Sequence, residues 1–230
     1  MVGAALIVSS CGAQQASSGT DGKSVVRIDH VIVGTNDLEA GIAEIERLTG
    51  VRPVVGGEHP GRGTRNALIS LGAGTYLELL APNPKEDVAS SDVAELRALK
   101  RLKPLGWAAG TDDPAAVRSA LGSKDFDLSP QESGSRRRPD GSVIEWETFS
   151  YEEFEHPFAP FFIHWKRPDL HPSKTSPTGC RLTAMRFFDP RPETLAAALL
   201  PLKMSASVEK ADQREMELEL ACPKGMLRLR

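Results

Sequence analysis

The chain repeats itself. Trp107-Ala108-Ala109-Gly110-Thr111-Asp112-Asp113 matches Val31-Ile32-Val33-Gly34-Thr35-Asn36-Asp37 in position and chemistry, 76 residues further on. A supersecondary unit built twice follows from such a repeat. In the first copy, a β-branched run over residues 25–33 ends at the turn-formers Gly34 to Asp37, which predicts a strand stopped before a helix. Asp37 suits the N-cap, Leu38, Ile42, Ile45 and Leu48 fall at helical spacing, and Gly50 is the stop. Residues 51–55, 67–71 and 75–81 then read as three short strands between Gly-rich turns, so residues 25–84 form a βαβββ module.

The second module covers residues 104–167. Its helix over 114–121 opens on Pro114, where a missing N–H costs nothing. A hairpin around Pro139-Asp140-Gly141 leads into strands at 143–149 and 161–165. Residues 85–103 are a linker with a short helix over 93–102. After a polar stretch rich in Pro, Ser and Thr, a third, partial βαβββ-like unit occupies residues 180–230, with a strand to Phe188, a helix over 193–200, and strands at 216–221 and 226–230 joined by Pro223-Lys224-Gly225.

A net charge of -3 and a pI near 6.0 give no global attraction for nucleic acid, whose binding rests on Lys and Arg neutralising phosphates. No apolar run reaches the roughly 20 residues that span a bilayer. Residues 1–24 stand apart: an apolar start, then Val8-Ser9-Ser10-Cys11-Gly12, then a Gln/Ser/Gly/Thr stretch. This resembles a bacterial lipoprotein signal, which implies lipidation of Cys11, a flexible tether, and a lipid-anchored place in the bacterial cell envelope. No Lys or Arg precedes Cys11, so a disordered tail on a cytoplasmic protein is the other reading. Cys180 and Cys222 are too few for a disulfide scaffold and read as two buried free thiols, which export would allow to pair.

Ile28-Asp29-His30-Val31 on the first strand, His59-Pro60-Gly61-Arg62-Gly63-Thr64 in the middle, and Tyr76-Leu77-Glu78-Leu79 on the last strand together resemble the glyoxalase-like domain family of the vicinal-oxygen-chelate superfamily, over residues 28–165. The resemblance implies an α+β fold in which tandem βαβββ modules curl their mixed sheets into an open cup or barrel. It also implies metal ligands on the first and last strand of each module. His30 and Glu78 take those positions in the first module. In the second, the repeat puts Gly106 at the first-strand position and His164 at the last, which leaves His30, Glu78 and His164 as a set suited to iron, manganese, nickel or zinc (Fe, Mn, Ni or Zn). Period-two alternation puts Tyr76, Glu78 and Leu80 on one side of their strand, and Phe162, His164 and Lys166 on one side of theirs.

Glu78 is also the catalytic candidate. A carboxylate among Tyr76, Leu77, Leu79 and Leu80 needs a cation to offset its desolvation, either a metal or Arg65 across the sheet. Arg65 and Asn66 are candidates for a substrate's carboxylate or carbonyl. Residues 56–63 carry four glycines but match no phosphate-binding spacing, and read as a mobile loop over the cup. Arg136-Arg137-Arg138 reads as a solvated hairpin tip with no function. His59, His156 and His171 each precede a proline and read first as turn residues.

The resemblance implies a lyase, isomerase or dioxygenase in which a divalent ion chelates two neighbouring oxygens of a small-molecule substrate. A metal-free module that binds or sequesters a small molecule is the alternative, favoured by Gly106, and an envelope scaffold is a third. The cup closes within one chain or across a homodimer.

Overall fold

Asp37 separates the first two elements. Its carboxylate accepts from Ala40 N at 2.8 Å, capping the helix that follows the first strand, and Gly50, with φ 79°, closes that helix. Residues 26–72, 74–138, 141–204 and 206–230 are described by this computed structural model. The lipoprotein-like leader, with Cys11, and the hairpin residues Pro139 and Asp140 lie outside them.

The first unit is β1 (Arg27–Gly34), α1 (Leu38–Thr49), β2 (Val54–His59), β3 (Thr64–Gly72) and β4 (Thr75–Pro82). A short helix, α2 (Ser91–Ala98), leads to the second: β5 (Lys103–Gly110), α3 (Pro114–Gly122), β6 (Glu132–Arg137), β7 (Val143–Phe149) and β8 (Phe161–Trp165). These eight strands make one mixed sheet in the order β2-β3-β4-β1-β5-β8-β7-β6. In each unit the first strand runs parallel to the last, and β1 meets β5 antiparallel at the centre. Val31 and Trp107, which open the sequence repeat, are partners across that centre, so the repeat is a local two-fold.

The two edge strands come together. Arg136 on β6 lies against Gly56 and Gly57 on β2, and a Cβ at Gly56 would stand 2.2 Å from Arg136 Nη1. The sheet thereby curls into a nearly closed cup, as the resemblance implied. Its outer face packs on α1, α3 and the C-terminal unit through Val31, Val33, Leu77, Leu79, Trp107, Phe162 and Phe187, all buried. Each such side chain contributes about 1.5–3 kcal/mol on leaving water. The inner face has a smaller apolar cluster around Leu68, Tyr76, Ile144 and Trp165.

After another short helix, α4 (Pro172–Thr175), the third unit has β9 (Arg181–Asp189), α5 (Pro192–Leu199), β10 (Ser207–Lys210), β11 (Glu215–Cys222) and β12 (Gly225–Leu229). Its element order is βαβββ, but its sheet runs β10-β9-β11-β12, so its first strand lies beside the second and third rather than the last. Cys180 and Cys222 are disulfide-bonded, which corrects the expectation of free thiols. Antiparallel pairing of β9 with β11, down to Arg181 opposite Ala221, brings together two residues 42 apart in sequence, with Cα atoms at 4.2 Å.

Candidate functional site

The polar side chains of the cup begin at an irregularity in β1. The register against β5 slips between Ile28 and His30, and such bulges re-aim side chains. Asp29 is fully buried. Its Oδ1 accepts from His30 Nδ1 at 2.9 Å, and its Oδ2 accepts from His171 Nε2 and Trp165 Nε1, both at 3.0 Å. Gly110 opposite leaves the space, since a Cβ there would stand 2.7 Å from Asp29 Oδ2. Burial works to raise the Asp29 pKa, but the hydrogen bonds from His171 and His30 outweigh it and hold the carboxyl well below the usual range. With Nδ1–H donated to Asp29, the neutral tautomer of His30 presents a bare Nε2 to the cup.

Glu78 faces it. His30 Nε2 and Glu78 Oε2 are 3.6 Å apart. The other carboxylate oxygen is occupied: Asn66 Nδ2 donates to Glu78 Oε1 at 2.6 Å and lies 3.1 Å from His59 Nε2, and Asn66 Oδ1 accepts from Arg136 Nη1 at 3.0 Å. His59 Nδ1 then donates to Thr64 Oγ1 at 2.8 Å. Burial pushes the Glu78 pKa up, but His59, His30, Asn66 and Arg136 bring it below its ordinary value. Burial lowers His59, with Glu78 opposing, so at neutral pH the site holds a carboxylate and an uncharged imidazole. Burial also drives the Tyr76 hydroxyl well above its usual range. Trp146, Phe161, Ile163 and Trp165 complete the wall of a cavity of about 390 Å³.

Of the residues expected from sequence, His30, Glu78 and Asn66 meet in this cavity. Arg65 does not. Leu68 pairs with Glu78 and Asn66 with Leu80, so the inward face of β3 carries the even-numbered residues and Arg65 points to the opposite side. The cations near Glu78 are instead Arg136, through Asn66, and the imidazoles.

His164 is also displaced. Ile32 on β1 pairs with Glu78, and its repeat equivalent Ala108 on β5 pairs with Phe161; Phe161, not His164, therefore occupies the Glu78 position of the second unit. Three residues is an odd offset, so His164 falls on the outer face, its Nδ1 3.0 Å from Thr111 O.

Arg136 is no solvated tip. It is 6% exposed and lines the cup. Strand alternation around the β6–β7 hairpin separates it from its two arginine neighbours, a signal the sequence carries. His59 and His171 are more than turn residues, one lining the cavity and the other bonded to Asp29. Nothing in the local sequence ties His171 to a strand 142 positions away.

For a divalent metal, the open donors are His30 Nε2 and Glu78 Oε2. Asn66 occupies both His59 Nε2 and Glu78 Oε1, while Gly106 and Phe161 supply no donor. Among the described residues no group of three or more His, Cys, Asp or Glu side chains is placed to hold a metal ion. Two open donors fall short of the three protein ligands that catalytic zinc sites keep, and the expected His30, Glu78 and His164 set does not assemble.

Comparison with known proteins agrees with this architecture. A hypothetical protein from Staphylococcus aureus superposes with a TM-score of 0.59 at 17% identity, covering 90% of this chain and 86% of its own. Methylmalonyl-CoA epimerase from Mycobacterium tuberculosis gives a TM-score of 0.43 at 20% identity over 66% of this chain and 93% of its own. A Streptomyces coelicolor methylmalonyl-CoA epimerase in complex with 2-nitronate-propionyl-CoA gives 0.41 at 23% over 61% and 98%. The likeness to the Staphylococcus aureus protein speaks to the fold alone. No curated protein matches significantly. The model of the glyoxalase-like domain matches residues 28–202, most of the 230-residue chain, and the chain belongs to that family.

Proposed function

We propose that this protein is a small-molecule isomerase or lyase that moves a proton at a carbon beside a carbonyl or carboxylate, on a substrate with neighbouring oxygens. The observation that carries this reading is the open pair of His30 Nε2 and Glu78 Oε2, 3.6 Å apart in the cavity. Glu78 is a carboxylate held ionised by its neighbours, and the His30 tautomer that donates Nδ1–H to Asp29 carries a basic lone pair on Nε2. Asp29 fixes the ring of His30 and stabilises the imidazolium that forms when Nε2 takes the proton, the service a buried carboxylate renders a catalytic histidine. The pair then returns the proton to the neighbouring atom, so the reaction needs no oxidant. No step here passes through a metal ion, because the donor set does not fit one.

Deuterium exchange in D2O, followed by NMR over a panel of 2-oxo and 2-hydroxy acids and hydroxyketones, tests this. At least one compound should lose its proton in the presence of the wild-type chain, and Glu78→Gln or His30→Gln should slow that exchange by about 10²–10⁴-fold. Compounds that bind but never exchange would instead support the second reading, a sequestering module, which Gly106 and Phe161 in place of ligands favour. The Cys180–Cys222 bond supports an oxidising compartment, in keeping with the expected cell envelope.

A further inference from the structure

We infer that the cup takes a monocarboxylic acid with a flat, unsaturated body, the carboxylate on Arg136 and the body against Trp146, Phe161 and Trp165. This deepens the reading above and rests on the same cavity. Arg136 is buried, yet among the described residues its guanidinium makes a single hydrogen bond, to the neutral amide oxygen of Asn66 at 3.0 Å. Among the described residues no carboxylate lies within ion-pair distance of it. A guanidinium has five N–H donors, and the Glu78 carboxylate reaches this one only through the Asn66 amide, without touching it. The surrounding chain nevertheless makes room for it, since Cβ atoms at Gly56 or Gly57 would stand 2.2 and 3.0 Å from its side chain. A planar, two-oxygen anion answers both facts, pairing two parallel N–H groups in one plane.

One buried guanidinium balances one charge. The other arginine of the cavity, Arg62, is exposed, which suits drawing an anion in more than holding a second charge inside. Beside Ser133, Ser135 and Thr148, the wall carries aromatic rings: those of Trp146 and Trp165 pack with centroids 5.5 Å apart, and Phe161 sits edge-on to His30 at 5.5 Å. Gly134 lets the Trp146 indole lie flat over β6, where a Cβ would stand 2.4 Å from its Nε1. Rigid aromatic faces favour flat ligands, which stack on them. Asn66 ties Arg136 to Glu78, so a carboxylate on Arg136 sets its neighbouring carbon toward the His30–Glu78 pair.

Titration calorimetry on the full chain tests this with phenylacetate as probe, beside benzyl alcohol, acetate and phenyl phosphate. Phenylacetate should bind one to one, at least tenfold tighter than each of the other three. Arg136→Met should weaken it at least thirtyfold, Arg136→Lys less, and Trp146→Ala about tenfold; melting curves establish that each variant is folded. Unchanged phenylacetate affinity in folded Arg136→Met, equal affinity for benzyl alcohol or acetate, or preference for phenyl phosphate would overturn the inference. The readout is binding heat, so the inference stands or falls separately from proton exchange: an acid that binds through Arg136 without exchanging overturns only the catalytic reading.

Discussion

The two repeated units meet at β1 and β5 with equivalent backbones, and they face the cup with opposite chemistry. Unit one supplies Asp29, His30, His59, Asn66 and Glu78. At the positions equivalent to Asp29, His30 and Glu78, unit two has Leu105, Gly106 and Phe161. What unit two brings is Arg136 and the indoles of Trp146 and Trp165. Duplication thus preserved the scaffold and divided the lining: one half holds carboxylates and imidazoles, the other a buried cation and two indoles. The halves are joined through Asn66, which lets a buried carboxylate and a buried guanidinium share one amide without touching.

The strongest way to break this comparison is to delete equivalent side chains. Asp29→Ala leaves three buried N–H groups, on His30, His171 and Trp165, without their acceptor, and should cost about 3–5 kcal/mol of stability in urea denaturation. Leu105→Ala, at a half-buried apolar position, should cost roughly 1 kcal/mol. Equal losses would mean that the asymmetry is decorative.

A second test restores the symmetry. A Cβ at Gly106 meets nothing within 4 Å, so Gly106→His has room and would add a third open donor to His30 and Glu78. Nickel or zinc should then raise the melting temperature of Gly106→His, by the equivalent of about 2.7 kcal/mol when the ion is at a hundred times its Kd. The wild-type chain should respond far less. An equal shift in both would show that the wild-type donors already suffice for a metal.

Much of the fold was legible because its signals are local. The cap at Asp37, Pro114 at the start of the second helix and the Gly50 stop each act within a turn of chain, and with the 76-residue repeat they imply the paired units. His30 and Glu78 were legible through the family resemblance, with alternation setting Glu78 on the Tyr76 face of its strand, and Asn66 as a polar residue just past the glycine-rich segment. His164 was not, because its face depends on the register of β8 against β5, a long-range pairing, and an offset of three residues reverses every side chain. Arg65 failed for the same reason of parity. His171 and the Cys180–Cys222 bond depend on contacts between segments 142 and 42 residues apart, which no local pattern encodes. Arg136 was hidden by its neighbours, since three consecutive arginines resemble a solvated tip until the strand is known to turn one of them inward.

The smallest expected effect is on pH dependence, to which the site in unit one contributes beside the buried His156–Asp189 pair. Asp29 and Glu78 both titrate below their ordinary values of 3.8 and 4.5 in the folded chain, and His59 titrates below 6.5. For all three the unfolded chain binds the proton first as pH falls, so each contributes stability that is present above its unfolded pKa and lost on acidification. The His59 contribution should fade as pH drops through about 6.5, and the carboxylate contributions as it drops below about 4.5. The charged and titratable groups facing Glu78 are His30, His59, Arg136 and Tyr76, and all but Tyr76 favour its ionised form. Urea midpoints between pH 8 and pH 3 should therefore fall in two stages. Glu78→Gln should flatten part of the lower stage, while His59→Gln should shrink the upper stage, to which His156 also contributes. A wild-type chain whose stability rises between pH 8 and pH 5 would contradict the sign for His59, and a lower stage unaltered by Glu78→Gln would place the acid sensitivity elsewhere than in the site.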